Sequence, residues 1–81
     1  MTIRVQFFSY FKDLAGCDRV LEEVPEGTRV GDLVHRVMLR FPRLRDAERC
    51  TLVAVGVEYA PRERVLADNE EVSLFPPVQG G

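Results

Sequence analysis

Thr28-Arg29-Val30-Gly31-Asp32-Leu33-Val34-His35-Arg36-Val37-Met38-Leu39-Arg40-Phe41-Pro42 decides the fold. Val30, Leu33, Val34, Val37, Met38 and Phe41 recur at three- and four-residue intervals, which places them on one stripe of an α-helix. Thr28 stands where an N-cap belongs. Asp32 lies in the first turn and Arg36 and Arg40 in the second half, the sense that complements the helix dipole, and Pro42 stops the run. Gly31 costs about 1 kcal/mol of helix propensity. His35 falls off the stripe and is expected on the exposed face. A helix with a single apolar face must cover another layer, and the flanking sequence supplies strands for it.

Working towards the amino terminus, Asp18 to Val24 reads as a strand in which Val20, Leu21 and Val24 alternate imperfectly, followed by a Pro25-Glu26-Gly27 turn. Ser9 can cap a short helical turn through Tyr10-Phe11-Lys12-Asp13-Leu14, with Gly16 placed to end it in a left-handed conformation. Phe11 and Leu14 share a face of that turn. Before it, Ile3, Val5 and Phe7 alternate with Thr2, Arg4 and Gln6, the period of a half-buried strand. Phe8 breaks this phase and points to the polar side of the sheet.

Towards the carboxyl terminus, Arg43 to Arg49 is a charged, solvated connection, and Thr51-Leu52-Val53-Ala54-Val55 is an apolar run of buried-strand type. Gly56-Val57 suits a two-residue hairpin turn with glycine first, so Glu58-Tyr59-Ala60 can return as a partner strand. Pro61 to Val65 is a less regular excursion, and Asp68-Asn69 marks a turn in which Asn69 tolerates positive φ. Glu71 to Phe75 is the last strand, with Val72 and Leu74 inward and Ser73 and Phe75 outward. Phe8 and Phe75 are both out of phase with the core. On neighbouring central strands they would form an apolar patch, extended by Tyr59, of the kind that marks a binding surface.

Pro76-Pro77-Val78-Gln79-Gly80-Gly81 follows that patch. The prolines lack a ladder N–H and fix φ, so they end the strand and send the chain out extended, reaching roughly 20 Å by residue 81. Gly80 and Gly81 carry no Cβ. They make a slim arm whose α-carboxylate could pass down a narrow channel into the active site of another protein.

The chain has 81 residues, 46% hydrophobic, which is one small domain able to bury a core without metal or disulfide. Thirteen acidic and 11 basic side chains give a net charge of −2, which argues against nucleic acid as the main partner. Lys12 is the single side-chain amine. Cys17 and Cys50 are far apart, form no CxxC and have no histidine set around them, so no metal site is expected and both thiols are expected reduced. Neither a signal peptide nor a membrane-spanning run is found, which implies a cytoplasmic protein.

The order strand, short helix, strand, long helix, strand, hairpin, strand and Gly-Gly tail looks like an α+β, β-grasp (ubiquitin-like) roll. In that fold a mixed four- to five-stranded sheet packs on one main helix. Within it the chain resembles the sulfur-carrier small subunits of molybdopterin synthase. The resemblance rests on Phe7-Phe8 leading into Phe11-Lys12-Asp13-Leu14-Ala15-Gly16, on Thr28 to Leu33, and above all on Glu71-Val72-Ser73-Leu74-Phe75-Pro76-Pro77-Val78-Gln79-Gly80-Gly81. It departs at two turns, where relatives have Asn-Gly in place of Gly56-Val57 and Gly-Asp in place of Asn69-Glu70.

The resemblance implies one domain over 1–81 with 76–81 a flexible, extended tail, and no tightly bound cofactor. It implies that Gly81 is adenylated by a ubiquitin-activating-type enzyme using ATP, and converted to a thiocarboxylate by a persulfide sulfur donor. Gly80, Gln79, Val78, Pro77 and Pro76 would thread into the large synthase subunit, Phe8, Tyr59 and Phe75 would bind partners, and the synthase would be a heterotetramer. The carrier would then give sulfur to the cyclic pterin precursor without being catalytic alone. A carrier for thiamine thiazole or a tungsten cofactor, a ubiquitin-like protein modifier, and an interaction domain with an incidental tail remain open on the sequence.

Overall fold

A computed structural model describes residues 1–77. Val78, Gln79, Gly80 and Gly81, and with them most of the expected tail, lie outside the described residues. The first strand, β1 (Thr2–Phe7), buries Ile3, Val5 and Phe7, as its alternation requires. After it come α1 (Phe11–Ala15), β2 (Arg19–Glu23), α2 (Val30–Arg40), a short 3₁₀ helix (Pro42–Ala47), β3 (Leu52–Val55), β4 (Glu58–Tyr59) and β5 (Glu71–Phe75). The five strands form one mixed sheet in the order β2-β1-β5-β3-β4, with β1 and β5 parallel and every other pairing antiparallel.

The stripe on α2 forms as spaced: Val30, Leu33, Val34, Val37 and Met38 are buried against the inner face of the sheet with Ile3, Val5, Phe7, Val53, Val55, Val72 and Leu74. Phe41, just past the helix, sets its ring edge-on to Phe7 at 5.3 Å. Thr28, however, is not the N-cap. Its hydroxyl donates to the Pro25 carbonyl at 2.7 Å, and Arg29 takes the capping position, with its N–H donating to the Asp32 carboxylate at 3.1 Å. The next two helical N–H groups, of Val30 and Gly31, donate to the carbonyls of Arg64 and Arg62 at 2.9 and 2.8 Å. The irregular Pro61–Val65 segment thus serves the helix start, whose unpaired donors would otherwise be orphaned. Gly31 is there for space: a Cβ would meet the Arg62 Cβ and carbonyl oxygen at 3.3 Å.

Ser9 is likewise no cap. It sits at positive φ (56°), Tyr10 occupies the cap position without a side-chain bond, and Gly16 closes α1 at φ 78° as expected. In the β3–β4 hairpin Gly56 alone has positive φ (61°), which fits glycine as the first of two turn residues; Asn69 is at φ 65°. The second strand departs most from its reading. Leu21 is 62% exposed on the outer face, and Glu22 takes the inward position at 5% exposure. Its carboxylate is held by Arg40 at 2.7 Å and Arg36 at 3.4 Å, both from α2. A buried carboxylate is tolerated only with such partners. The 43–49 connection is not wholly solvated either, because Leu44 is fully buried on the 3₁₀ helix.

Arg64 clasps Glu70 with two nitrogens at 3.0 and 2.9 Å, and the Ala67 N–H reaches the same carboxylate at 2.7 Å. The Arg64 hydrogen bond, more than the burial that opposes it, holds the Glu70 carboxyl below its ordinary 4.5. A carboxyl lowered by folding stabilises the fold above its unfolded pKa, and that stability is lost as pH falls through the folded value. Glu70→Gln should therefore lower the urea midpoint at neutral pH. The gap to wild type should close as pH drops below about 4.5, and a gap constant with pH would contradict this. Leu44→Ala should cost ~2–5 kcal/mol in the same assay, while Arg43→Ala should stay within ~0.5 kcal/mol.

Candidate functional site

The parallel ladder between β1 and β5 sets Val5 beside Val72 and Phe7 beside Leu74, and it runs on past β1 through Phe8 N–H to Leu74 O at 3.1 Å. This extension carries Phe8 alongside the end of β5. The rings of Phe8 and Phe75 stack at 4.6 Å between centroids with 16° between planes. Both are half-buried, so the two out-of-phase aromatics are brought together on the outer face and partly shield each other. The expectation of a patch at the root of the tail is met in this form.

Tyr59 lies on the same face two strands away. Cross-strand pairs share a face, and the registers Ala54↔Tyr59, Ala54↔Ser73 and Leu52↔Phe75 link the three outward positions. Tyr59 is 76% exposed and belongs to the edge strand, so it flanks the aromatic stack without joining it. Leu52, paired with Phe75 and 36% exposed, completes the apolar surface. The sequence reading missed Leu52 because it took residues 51–55 as buried on both faces. The alternation Leu52/Ala54 against Val53/Val55 was the available signal. Ser73 and Ala54 between them are small and almost fully covered.

Pro76 and Pro77 follow Phe75 without secondary structure and half-buried. Around the stack the polar groups are mostly cationic or neutral: Gln6, Lys12 and Arg19, with Asp18, line a shallow depression beside Phe8. Arg4 further along β1 faces Glu71 at 3.6 Å. Among the described residues no group of three or more His, Cys, Asp or Glu side chains could hold a metal ion. Cys17 is half-buried, Cys50 is exposed and neither is bridged. His35 is an exposed helix residue, as expected, with Nδ1 3.2 Å from the Glu48 carboxylate. No helix among the described residues is long and apolar enough to cross a membrane. The outer face therefore presents an apolar surface formed by the Phe8–Phe75 stack and Leu52, with Tyr59 at its edge.

Residues 5–81 match the ThiS family. A relative from Mycobacterium tuberculosis, "Molybdopterin synthase sulfur carrier subunit", is 38% identical over 82 residues, covering 98% of this chain and 96% of its own. Among solved structures, a putative molybdopterin converting factor subunit 1 from Pyrococcus furiosus superposes with a TM-score of 0.86 at 31% identity, over 96% of this chain and 99% of that one. SAMP1 from Haloferax volcanii gives a TM-score of 0.86 at 25% identity, with both chains covered in full. The architecture is the ubiquitin-like β-grasp that the element order suggested.

The stack is testable without any partner. A double-mutant cycle of Phe8→Ala and Phe75→Ala in urea unfolding should give a coupling of ~0.5–1.5 kcal/mol. Additive losses would mean that the rings meet without interacting.

Proposed function

Since the chain belongs to the ThiS family, we propose that it is the sulfur-carrier subunit of a molybdopterin synthase, acting in the cytoplasm with Gly81 as its reactive end. The observation that carries this reading is the end-to-end likeness to a relative of that name, 38% identical over 98% of this chain.

A carboxylate is a poor electrophile, because attack on it would have to expel oxide. An adenylating partner of the ubiquitin-activating type solves this with ATP: the Gly81 carboxylate oxygen attacks the α-phosphorus, pyrophosphate leaves, and an acyl-adenylate with a good leaving group remains. The terminal sulfur of a persulfide donor then attacks the acyl carbon and AMP departs. A second thiol cleaves the acyl disulfide, leaving a thiocarboxylate on Gly81. In the two sulfur steps the nucleophile is an ionised sulfur, first the terminal sulfur of the persulfide and then a thiolate.

Delivery needs the tail inside the large synthase subunit. Pro76 to Gly80 thread the channel, Gly80 and Gly81 fit because they lack side chains, and Phe8, Phe75 and Tyr59, with Leu52, dock the body of the carrier outside it. Two charged carriers in turn each give one sulfur to the cyclic pterin precursor to form its dithiolene, water takes over the acyl carbon each time, and Gly81 returns as carboxylate, ready to be recharged. The large subunit contributes the acid-base groups, and two carriers serve each heterotetrameric synthase.

Gly81→Ala should leave the urea midpoint unchanged and lower dithiolene formation by ~100-fold or more in a reconstituted synthase, because a methyl on the α-carbon next to the reacting carboxyl misplaces it. Wild-type product formation by this variant would sink the mechanism. Adducts between the carrier and lysines of other proteins that survive a denaturing gel, in place of product, would make it a protein modifier instead.

A further inference from the structure

The strand β2 ends the sheet and has no neighbour on its far side among the described residues. The bonds Val24 N–H to Met1 O (2.9 Å), Met1 N to Val24 O (2.7 Å) and Phe7 N–H to Asp18 O (2.9 Å) mark Met1/Val24 and Phe7/Asp18 as hydrogen-bonded pairs of the β1–β2 ladder. Hydrogen-bonded pairs alternate along an antiparallel ladder. The backbone groups of Val20 and Glu22 therefore turn to β1, and those of Arg19, Leu21 and Glu23 turn outward. One outward acceptor is already engaged: Arg40 Nη1 donates to the Leu21 carbonyl at 3.2 Å, which leaves the second lone pair of that oxygen. An open edge of this kind is a template for another strand.

We propose that this edge is a self-association surface on which a second copy of the chain pairs antiparallel about Leu21. The sequence Arg19-Val20-Leu21-Glu22-Glu23 is complementary to itself under a two-fold axis through Leu21. The axis sets Leu21 opposite Leu21 of the second copy, and Arg19 of each copy opposite Glu23 of the other. All three residues project from the outer face. Leu21 is 62% exposed, and would lose that exposure to its symmetry mate. The outward backbone groups supply a hydrogen-bonded pair at each of the three contacts.

Existing partners do not prevent this. Arg19 is 3.8 Å from Asp18 in an exposed pair, and Glu23 accepts the Thr2 hydroxyl at 2.6 Å with oxygen capacity to spare. On the inner face, Glu22 is kept neutralised by Arg36 and Arg40 and does not face its own copy. The interface is isologous and closes at two copies. It lies at the opposite end of the strand order from β4 and Tyr59.

Sedimentation equilibrium of the full chain, from micromolar to millimolar concentration and at low and high salt, tests this. Wild type should dimerise reversibly and more weakly at high salt, since the Arg19–Glu23 attractions are exposed. Arg19→Glu alone and Glu23→Arg alone should each lose roughly ten-fold or more in association, because every single reversal turns two attractions into two repulsions. An equimolar mixture of the two variants should recover the dimer, since the reversed positions then face each other. That recovery also shows that both variants are folded. A wild type that stays monomeric throughout, single variants that associate as tightly as wild type, or a mixture that fails to recover would each overturn the proposal.

Discussion

The parallel pairing of β1 with β5 is the contact on which the rest depends. It lays the first and last strands side by side in the same direction, so the chain must cross from one end of the sheet to the other between them, and parallel neighbours require a long connection. The apolar stripe of α2 covers that pair, and Val5, Phe7, Val72 and Leu74 are all at most 1% exposed beneath it. The same register decides the outer face. Because Phe7 lies beside Leu74, the next residue on each strand is an outward phenylalanine, and the chain leaves the sheet from directly beneath that stack. Core and outer aromatic surface are two sides of one alignment. A slip of one residue would exchange them.

A second device is the use of guanidinium groups as braces. Ten of the 11 basic residues are arginine, and several bridge acceptors that no single point charge would span as well. Arg62 Nη2 holds the carbonyls of Glu48 and Thr51 at 2.9 and 2.8 Å, Arg40 reaches both Glu22 and the Leu21 carbonyl, and Arg64 grips Glu70 with two nitrogens. Arg29 reaches the Glu63 carbonyl at 2.6 Å, and Arg4 the Asn69 carbonyl through Nε and Nη2. These contacts tie loops 61–70 to the helix start and to the sheet. A planar fork of donors suits that work, where lysine would not.

The regular elements were legible because each has one period and one buried face: α2 through its stripe, β1 and β5 through alternation, the hairpin through Gly56 and the late turn through Asn69. Parity placed Phe8 and Phe75 off the core face, whereas their meeting, and the place of Tyr59 on the same side, depended on the strand order. Long-range contacts were not legible. Thr28 and Ser9 look like caps in sequence, but the donors at the α2 start are met by Arg62 and Arg64 carbonyls over thirty residues away. Glu22 reads as a surface residue until Arg36 and Arg40 are folded over it, and Leu44 is hidden among charges that share its turn with one inward position. Leu52 was lost because a continuous apolar run conceals which residues face out. The tail was legible only by its composition and resemblance, and residues 78–81 lie beyond what the structure describes.

Sulfur carriage by this chain would take place at Gly81. The most direct measurement is the intact mass of the purified chain before and after incubation with ATP, an adenylating enzyme of the ubiquitin-activating type and a persulfide sulfur source, followed by fragmentation of the carboxyl-terminal peptide. A gain equal to one sulfur replacing one oxygen, mapped to Gly81, is the predicted result. An unchanged mass, with the same enzyme shown to charge another carrier, would contradict it.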